Sequence, residues 1–146
     1  MRTIKSFKGD FEFLSNFYMR KLTYDKLVWQ SSEHAYQAAK TNKYREKLKI
    51  LDAITPGRAK RLGQKVTIRA DWDDVKLQIM EDILKEKFDI YKDNFMFNLL
   101  QSTYEYVLVE GNNWHDNFWG DCICNKCTNI KGQNHLGKIL MRIRGI

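Results

Sequence analysis

The sequence predicts a mainly α (α+β) fold: a single compact helical domain over residues 1–146 with a small antiparallel β element. Three observations carry this. Apolar residues recur at helical spacing through the middle and end of the chain. Capping residues stand directly in front of those stretches. Segments rich in β-branched and aromatic residues are few and short.

Taken in order, residues 3–7 alternate loosely between apolar and polar, as a strand would. Residues 22–24 and 27–29 flank Asp25-Lys26, a hairpin pattern that lacks the favoured turn glycine. Ser31 is a cap for HAYQAAK, which is rich in helix formers. Residues 43–53 form a helix on Leu48 and Leu51, with Ile54 continuing the spacing. Thr55-Pro56 is a cap followed by proline in the first turn, opening GRAKRLGQK. Asp71 or Asp73 caps the longest helix, running to about Tyr91 on Val75, Ile79, Ile83 (or Leu84) and Phe88. A shorter helix over 94–102 rests on Phe95, Leu99 and Leu100. YEYVLV at 104–109 is the best strand. Residues 111–133 read as a long loop, and 134–143 as a closing helix with Leu136, Ile139, Leu140 and Ile143 on one face.

Composition narrows the function classes. Hydrophobic residues make up 43% and Pro56 is the only proline, which excludes a disordered or low-complexity chain. No apolar run approaches the roughly 20 residues of a membrane span, so no membrane partner is expected. The opening MRTIKSFKGDF has no apolar secretory stretch, and Cys122, Cys124 and Cys127 are an odd, local set. Reduced thiols in a cytoplasmic protein are the expectation. Twenty-five basic residues against 18 acidic give a net charge of +7, which favours a phosphate-bearing partner.

Four places carry residues suited to chemistry. On a helix, Glu33, Gln37 and Lys40 fall on one polar stripe, with small Ala35, Ala38 and Ala39 allowing close approach of neighbours. Such a stripe is either an acid, base and anchor set or a solvent-facing salt bridge. The segment EGNNWHDNFWG at 110–120 sets Asp116 beside Trp119-Gly120, a carboxylate next to a flat stacking surface. Its alternative is a loop pinned to the core by tryptophans. Cys122-x-Cys124-x-x-Cys127 has His115 and His135 on either side in sequence. No metal is expected there, because no fourth ligand lies within the cysteine run and either histidine needs the fold to bring it back. Arg58, Arg61 and Lys65 share a helix face, either a phosphate or nucleic-acid contact or a solvated surface.

The ordered set of motifs resembles the NADAR family. The blocks are FLSNFY at 13–18, SSEHAYQAAK at 31–40, TPGRAKRLG at 55–63, DWDDVKLQIM at 71–80 and KF at 87–88. They continue with LL at 99–100, LVEGNNWHDNFWGD at 108–121 and GQNHLGKILMRIR at 132–144. The cysteine loop departs from the glycine-rich link typical of the family.

The resemblance implies a helix-dominated fold and an N-glycosidase with no cofactor, cleaving a ribose C1–N bond in a phosphorylated, nucleotide-like substrate. Family substrates include phosphoribosylamino-pyrimidine intermediates of riboflavin synthesis and ADP-ribose attached to guanine in DNA. Cleavage builds positive charge on C1 and negative charge on the leaving base. Glu33 and Asp116 are the expected carboxylates. Lys40 is a donor, a sugar anchor or a Schiff-base nucleophile. Ser15 and Asn16 are expected on ribose or phosphate, Trp29 and Trp119 as stacking surfaces, and Gln37 and Gly120 beside them. Asn134 heads a helix whose first amides suit a phosphate. Two rival readings are a non-catalytic module that binds ADP-ribose or another NAD derivative, and a metal-bound nucleic-acid adaptor using the cysteine loop.

Overall fold

A computed structural model describes residues 1–145. In chain order the elements are β1 (Arg2–Ile4), β2 (Leu22–Tyr24), β3 (Leu27–Trp29), α1 (Ser32–Ala39), α2 (Tyr44–Leu51), α3 (Pro56–Gly63), α4 (Trp72–Lys87), α5 (Asn94–Gln101), β4 (Tyr106–Leu108), β5 (Gly111–Asn112), β6 (Asp121–Cys122) and α6 (His135–Arg144). Short 3-10 turns cover Gly9–Leu14 and Asn125–Cys127. The mainly helical α+β class is therefore what the chain adopts. No helix among the described residues is long and apolar enough to cross a membrane.

The chain divides into two compact units, residues 16–89 and residues 1–15 with 90–146. In the first, β2 and β3 pair antiparallel as the predicted hairpin, with Leu22 opposite Trp29. Asp25 and Lys26 both take left-handed φ, 51° and 68°, which lets a two-residue turn follow the strand twist without glycine. Helix α1 packs against α2, α3, α4 and β3, and all eight of its residues are buried. Small Ala35, Ala38 and Ala39 permit that approach on several sides.

Ser31 caps α1 by accepting the His34 backbone N–H, and its hydroxyl lies 2.7 Å from His34 Nδ1. His34 Nε2 donates to the Ala53 carbonyl at 2.9 Å. The ring is thus fully buried, neutral and paired at both nitrogens, and burial pulls its pKa below the ordinary histidine value. The neutral form is the folded form, so this stabilisation is complete above the unfolded-state pKa and is lost as pH falls through the lower folded-state value. Urea unfolding between neutral and mildly acidic pH is expected to show falling stability, with a shallower slope in His34→Asn.

Several apolar faces differ in detail from the pattern. On α2 the buried residue is Ile50, while Leu48 is 36% and Ile54 78% exposed. The helix stops at Leu51 and Thr55 starts a fresh cap, which leaves Ile54 in the connection. Asp71 occupies the N-cap of α4 but does not cap through its side chain; its carboxylate takes a bidentate pair from Arg69 at 2.6 and 3.0 Å. That helix ends at Lys87, short of Tyr91.

In the second unit, β1 and β4 pair in parallel, Ile4 opposite Leu108, with α6 against β4 and α5 against α6. On α5 the buried residues are Met96 and Leu100, and Phe95 is exposed, because the cap is Asp93, which accepts the Met96 N–H. The predicted long loop contains the parallel pair β5–β6. Among the described residues the β content is thus one antiparallel hairpin and two parallel pairs, more than the sequence pattern alone indicated.

Candidate active site

Within residues 16–89 the polar stripe of α1 is assembled in the interior. Glu33 is 7% and Gln37 4% exposed, which overturns the solvent-facing alternative. Gln37 Nε2 donates to Glu33 Oε1 at 2.7 Å. Gln37 Oε1 is buried without a hydrogen-bond partner. That oxygen faces Gly63 of α3 at close range. The Glu33 carboxylate belongs to the first turn of α1, where the helix dipole favours negative charge.

Asn16 holds the entrance of that helix. Its carbonyl accepts the Glu33 N–H at 3.0 Å, and its Oδ1 accepts the Ser32 hydroxyl at 2.8 Å. Its amide nitrogen lies 3.6 Å from Met80 Sδ. These bonds tie Asn16 to the first turn of α1, which carries Glu33.

Lys40 closes α1 at its C-cap, half-buried, with Nζ 5.7 Å from the centre of the Tyr36 ring. Burial lowers its pKa; Glu33 opposes that shift, and the positive charges of Lys60 and Lys76 add to it. A larger share of neutral amine follows, which suits a nucleophile. Lys60 belongs to the basic stretch read from the sequence around Arg58 and Arg61, whereas Lys76, on α4, was not singled out there. Arg58, Arg61 and Lys65 lie exposed on and just beyond α3.

Gly63 backs this arrangement from α3. A methyl group there would collide with the Gln37 side-chain amide. Gly→Ala inside a helix ordinarily gains about 1 kcal/mol, whereas overpacking costs about 1–3 kcal/mol. Gly63→Ala is therefore expected to lower the melting temperature and, by displacing Gln37 from Glu33, to reduce turnover.

Trp29 is 1% exposed and its indole N–H donates to the Tyr24 carbonyl at 2.9 Å. It is core, and the expectation of a stacking surface is corrected. Lys87, part of the resembling KF pair, received no role from sequence. It is buried beside Tyr18 and Phe88, and burial alone brings its pKa down to about 7.

In the other unit, Asp116 Oδ1 accepts the N–H groups of Phe118 and Trp119 at 3.1 and 2.9 Å, so one carboxylate oxygen shapes its own loop. Trp119 is half-buried, edge-on to Phe118 at 4.8 Å and to His135 at 6.4 Å. Trp114, 50% exposed, is the indole that sequence reasoning passed over. Ser15 is half-buried and ends the first 3-10 turn, its N–H bonded to the Glu12 carbonyl. Gly120 is buried where any side chain would strike the Glu110 carbonyl and the Asn112 amide, so close packing explains it.

Asn134 is corrected too. It adopts φ 51°, and its side chain accepts from Glu110 N and donates to Leu108 O at 3.0 and 2.8 Å. The amides of Gln133, Asn134, His135 and Leu136 already donate to the carbonyls of Asn117, Gly120, Phe118 and Trp119. The start of α6 therefore has no free set of N–H groups for a phosphate.

The fold brings His115 back to the cysteine run, which sequence spacing alone did not do. His115, in left-handed φ of 70°, turns its Nδ1 to 3.2 Å from Cys124 Sγ and 3.4 Å from Cys127 Sγ.

A family model described as the NADAR domain matches residues 5–146. The chain is 35% identical over 140 residues to the N-glycosidase YbiA of Escherichia coli, covering 93% of this chain and 79% of that protein. An N-glycosidase of Nostoc punctiforme is 38% identical over 135 residues, covering 89% and 81%. A riboflavin biosynthesis protein of Vibrio vulnificus is 36% identical over 134 residues; the match covers 90% of this chain and 34% of that longer protein, so the chain spans about a third of it. The NMR structure of E. coli YbiA matches with a TM-score of 0.81 at 31% identity, covering 99% of this chain and 84% of the other.

Proposed function

Because the chain belongs to the NADAR domain family, we propose that it is a hydrolase of N-glycosyl bonds, cleaving the C1–N bond of a phosphorylated ribosyl substrate. The observation that carries this is the interior set on α1: a buried carboxylate, Glu33, held by the Gln37 amide, with Lys40 at the helix end. Burying a carboxylate costs stability whatever its role, so one kept in the interior favours a functional reading. A module that only bound ADP-ribose has no developing cation for Glu33 to face.

Glu33 stabilises the positive charge on C1 and draws a proton from the attacking group. Gln37 fixes the carboxylate through its amide N–H. The Lys40 amine adds to C1 as the base departs, Glu33 passes the proton taken from the amine to the leaving nitrogen, the ribose ring opens to a C1 imine, and water then releases the sugar and regenerates the amine. Lys60 and Lys76 supply the positive field for the substrate phosphate. None of these steps calls for a cofactor. The family match from residue 5 to 146 supports treating the whole chain as one functional domain.

A phosphoribosylamino-pyrimidine is the preferred substrate, since the V. vulnificus and maize relatives are named riboflavin biosynthesis proteins. ADP-ribose on guanine in DNA is the second reading, favoured by exposed Arg58, Arg61 and Lys65. Chromatography after incubation with each substrate decides. Release of free pyrimidine and phosphoribose is expected; binding without product from either substrate would replace the enzyme with a binding module.

A further inference from the structure

We propose that His115, Cys122, Cys124 and Cys127 bind a structural zinc ion. The imidazole nitrogen and the three sulfurs all lie within 4.8 Å of one another. Tetrahedral zinc with the usual bond lengths sets sulfurs about 3.8 Å apart and sulfur about 3.6 Å from nitrogen. The His115 Nδ1 separations of 3.2 and 3.4 Å to Cys124 and Cys127 are already close to that spacing. Small side-chain adjustments, outward at His115 Nδ1 and inward across the widest pair, admit the ion.

The surrounding backbone is built as thiolate sites are. Cys124 to Cys127 is a C-x-x-C turn, closed by Cys127 N–H to the Cys124 carbonyl at 3.1 Å. Cys122 Sγ receives the N–H groups of His115 and Cys124 at 3.3 and 3.5 Å, and Cys127 Sγ receives the Asn117 amide at 3.4 Å. Donors aimed at sulfur offset thiolate charge and orient the ligands. All three cysteines are free, so no disulfide accounts for their convergence. His115 also holds a left-handed φ of 70°, an unfavourable backbone for a side chain, and this turns its ring toward the sulfurs.

Soft thiolates with one imidazole select zinc over hard cations. Four protein ligands leave no open position, so the ion braces the fold and takes no part in hydrolysis. It closes the chain between His115 and Cys122, the stretch that carries Asp116 and Trp119. The site stands whether or not the glycosidase reading holds.

The test uses the wild-type chain, purified under reducing conditions without chelator from zinc-supplemented culture. Atomic spectroscopy is expected to find one zinc per chain. Chelation should lower the melting temperature and stoichiometric zinc should restore it. Cobalt added to the metal-free protein should give thiolate-to-metal charge-transfer bands, weakened in Cys124→Ser and His115→Ala. Zinc well below one per chain, no cobalt bands, and three thiols that react equally fast with and without zinc would overturn the proposal. An iron–sulfur chromophore in the purified protein would also overturn it.

Discussion

Glu33→Gln is expected to fold like the wild type and to lose about 10²–10³ of turnover, the usual effect of removing one transition-state electrostatic contact. Glutamine keeps the size of the side chain, and its carbonyl can still accept from Gln37 Nε2, now 2.7 Å from Glu33 Oε1. What disappears is the negative charge. Its loss should even relieve burial cost, so the melting temperature should hold or rise while the rate falls. Single-turnover kinetics and a thermal melt on the same preparation check both halves. A near-wild-type rate in soluble Glu33→Gln would remove Glu33 from the chemistry, and Asp116 would then be the carboxylate to test.

The parts of this site that were legible in sequence are local ones. Ser31, three residues before the backbone N–H it accepts, announced α1, and the i, i+4 spacing put Glu33 and Gln37 in contact. The hairpin was equally local, with Asp25 and Lys26 between two short β-prone runs. What remained hidden depends on distant chain. The polar stripe of α1 reads as a solvent face until α2, α3, α4 and β3 surround it. Asn134 reads as the head of an anion-binding helix until loop carbonyls from residues 117–120 occupy the amides. His115 is seven positions before Cys122, and only its left-handed backbone closes that gap. Trp29 looks like a stacking surface because nothing in a tryptophan's neighbours in sequence reports how deeply it is buried.

Lys40→Met should abolish most activity, with a loss of about 10²–10⁴ typical of a group that handles protons or bonds in the reaction. The informative comparison is Lys40→Arg. Arginine keeps the positive charge and roughly the reach, but has no accessible neutral form. If Lys40 only attracted the phosphate or polarised the leaving base, arginine would restore much of the rate. The half-buried position of Lys40, where desolvation lowers its pKa and Lys60 and Lys76 push the same way, points to the neutral amine instead. Arginine is therefore expected to fail. The pH dependence has a definite sign under this mechanism. The reactive amine is the deprotonated form, so wild-type kcat should rise with pH until Lys40 has titrated, with its midpoint below that of an exposed lysine. Glu33 partly counters the shift, so Glu33→Gln should move the midpoint lower still. Borohydride added during turnover should fix the sugar to the chain through a reduced C1–N bond, and peptide mapping should locate it at Lys40. No adduct together with recovery of rate in Lys40→Arg would return the reaction to direct attack by water, with Glu33 as its base.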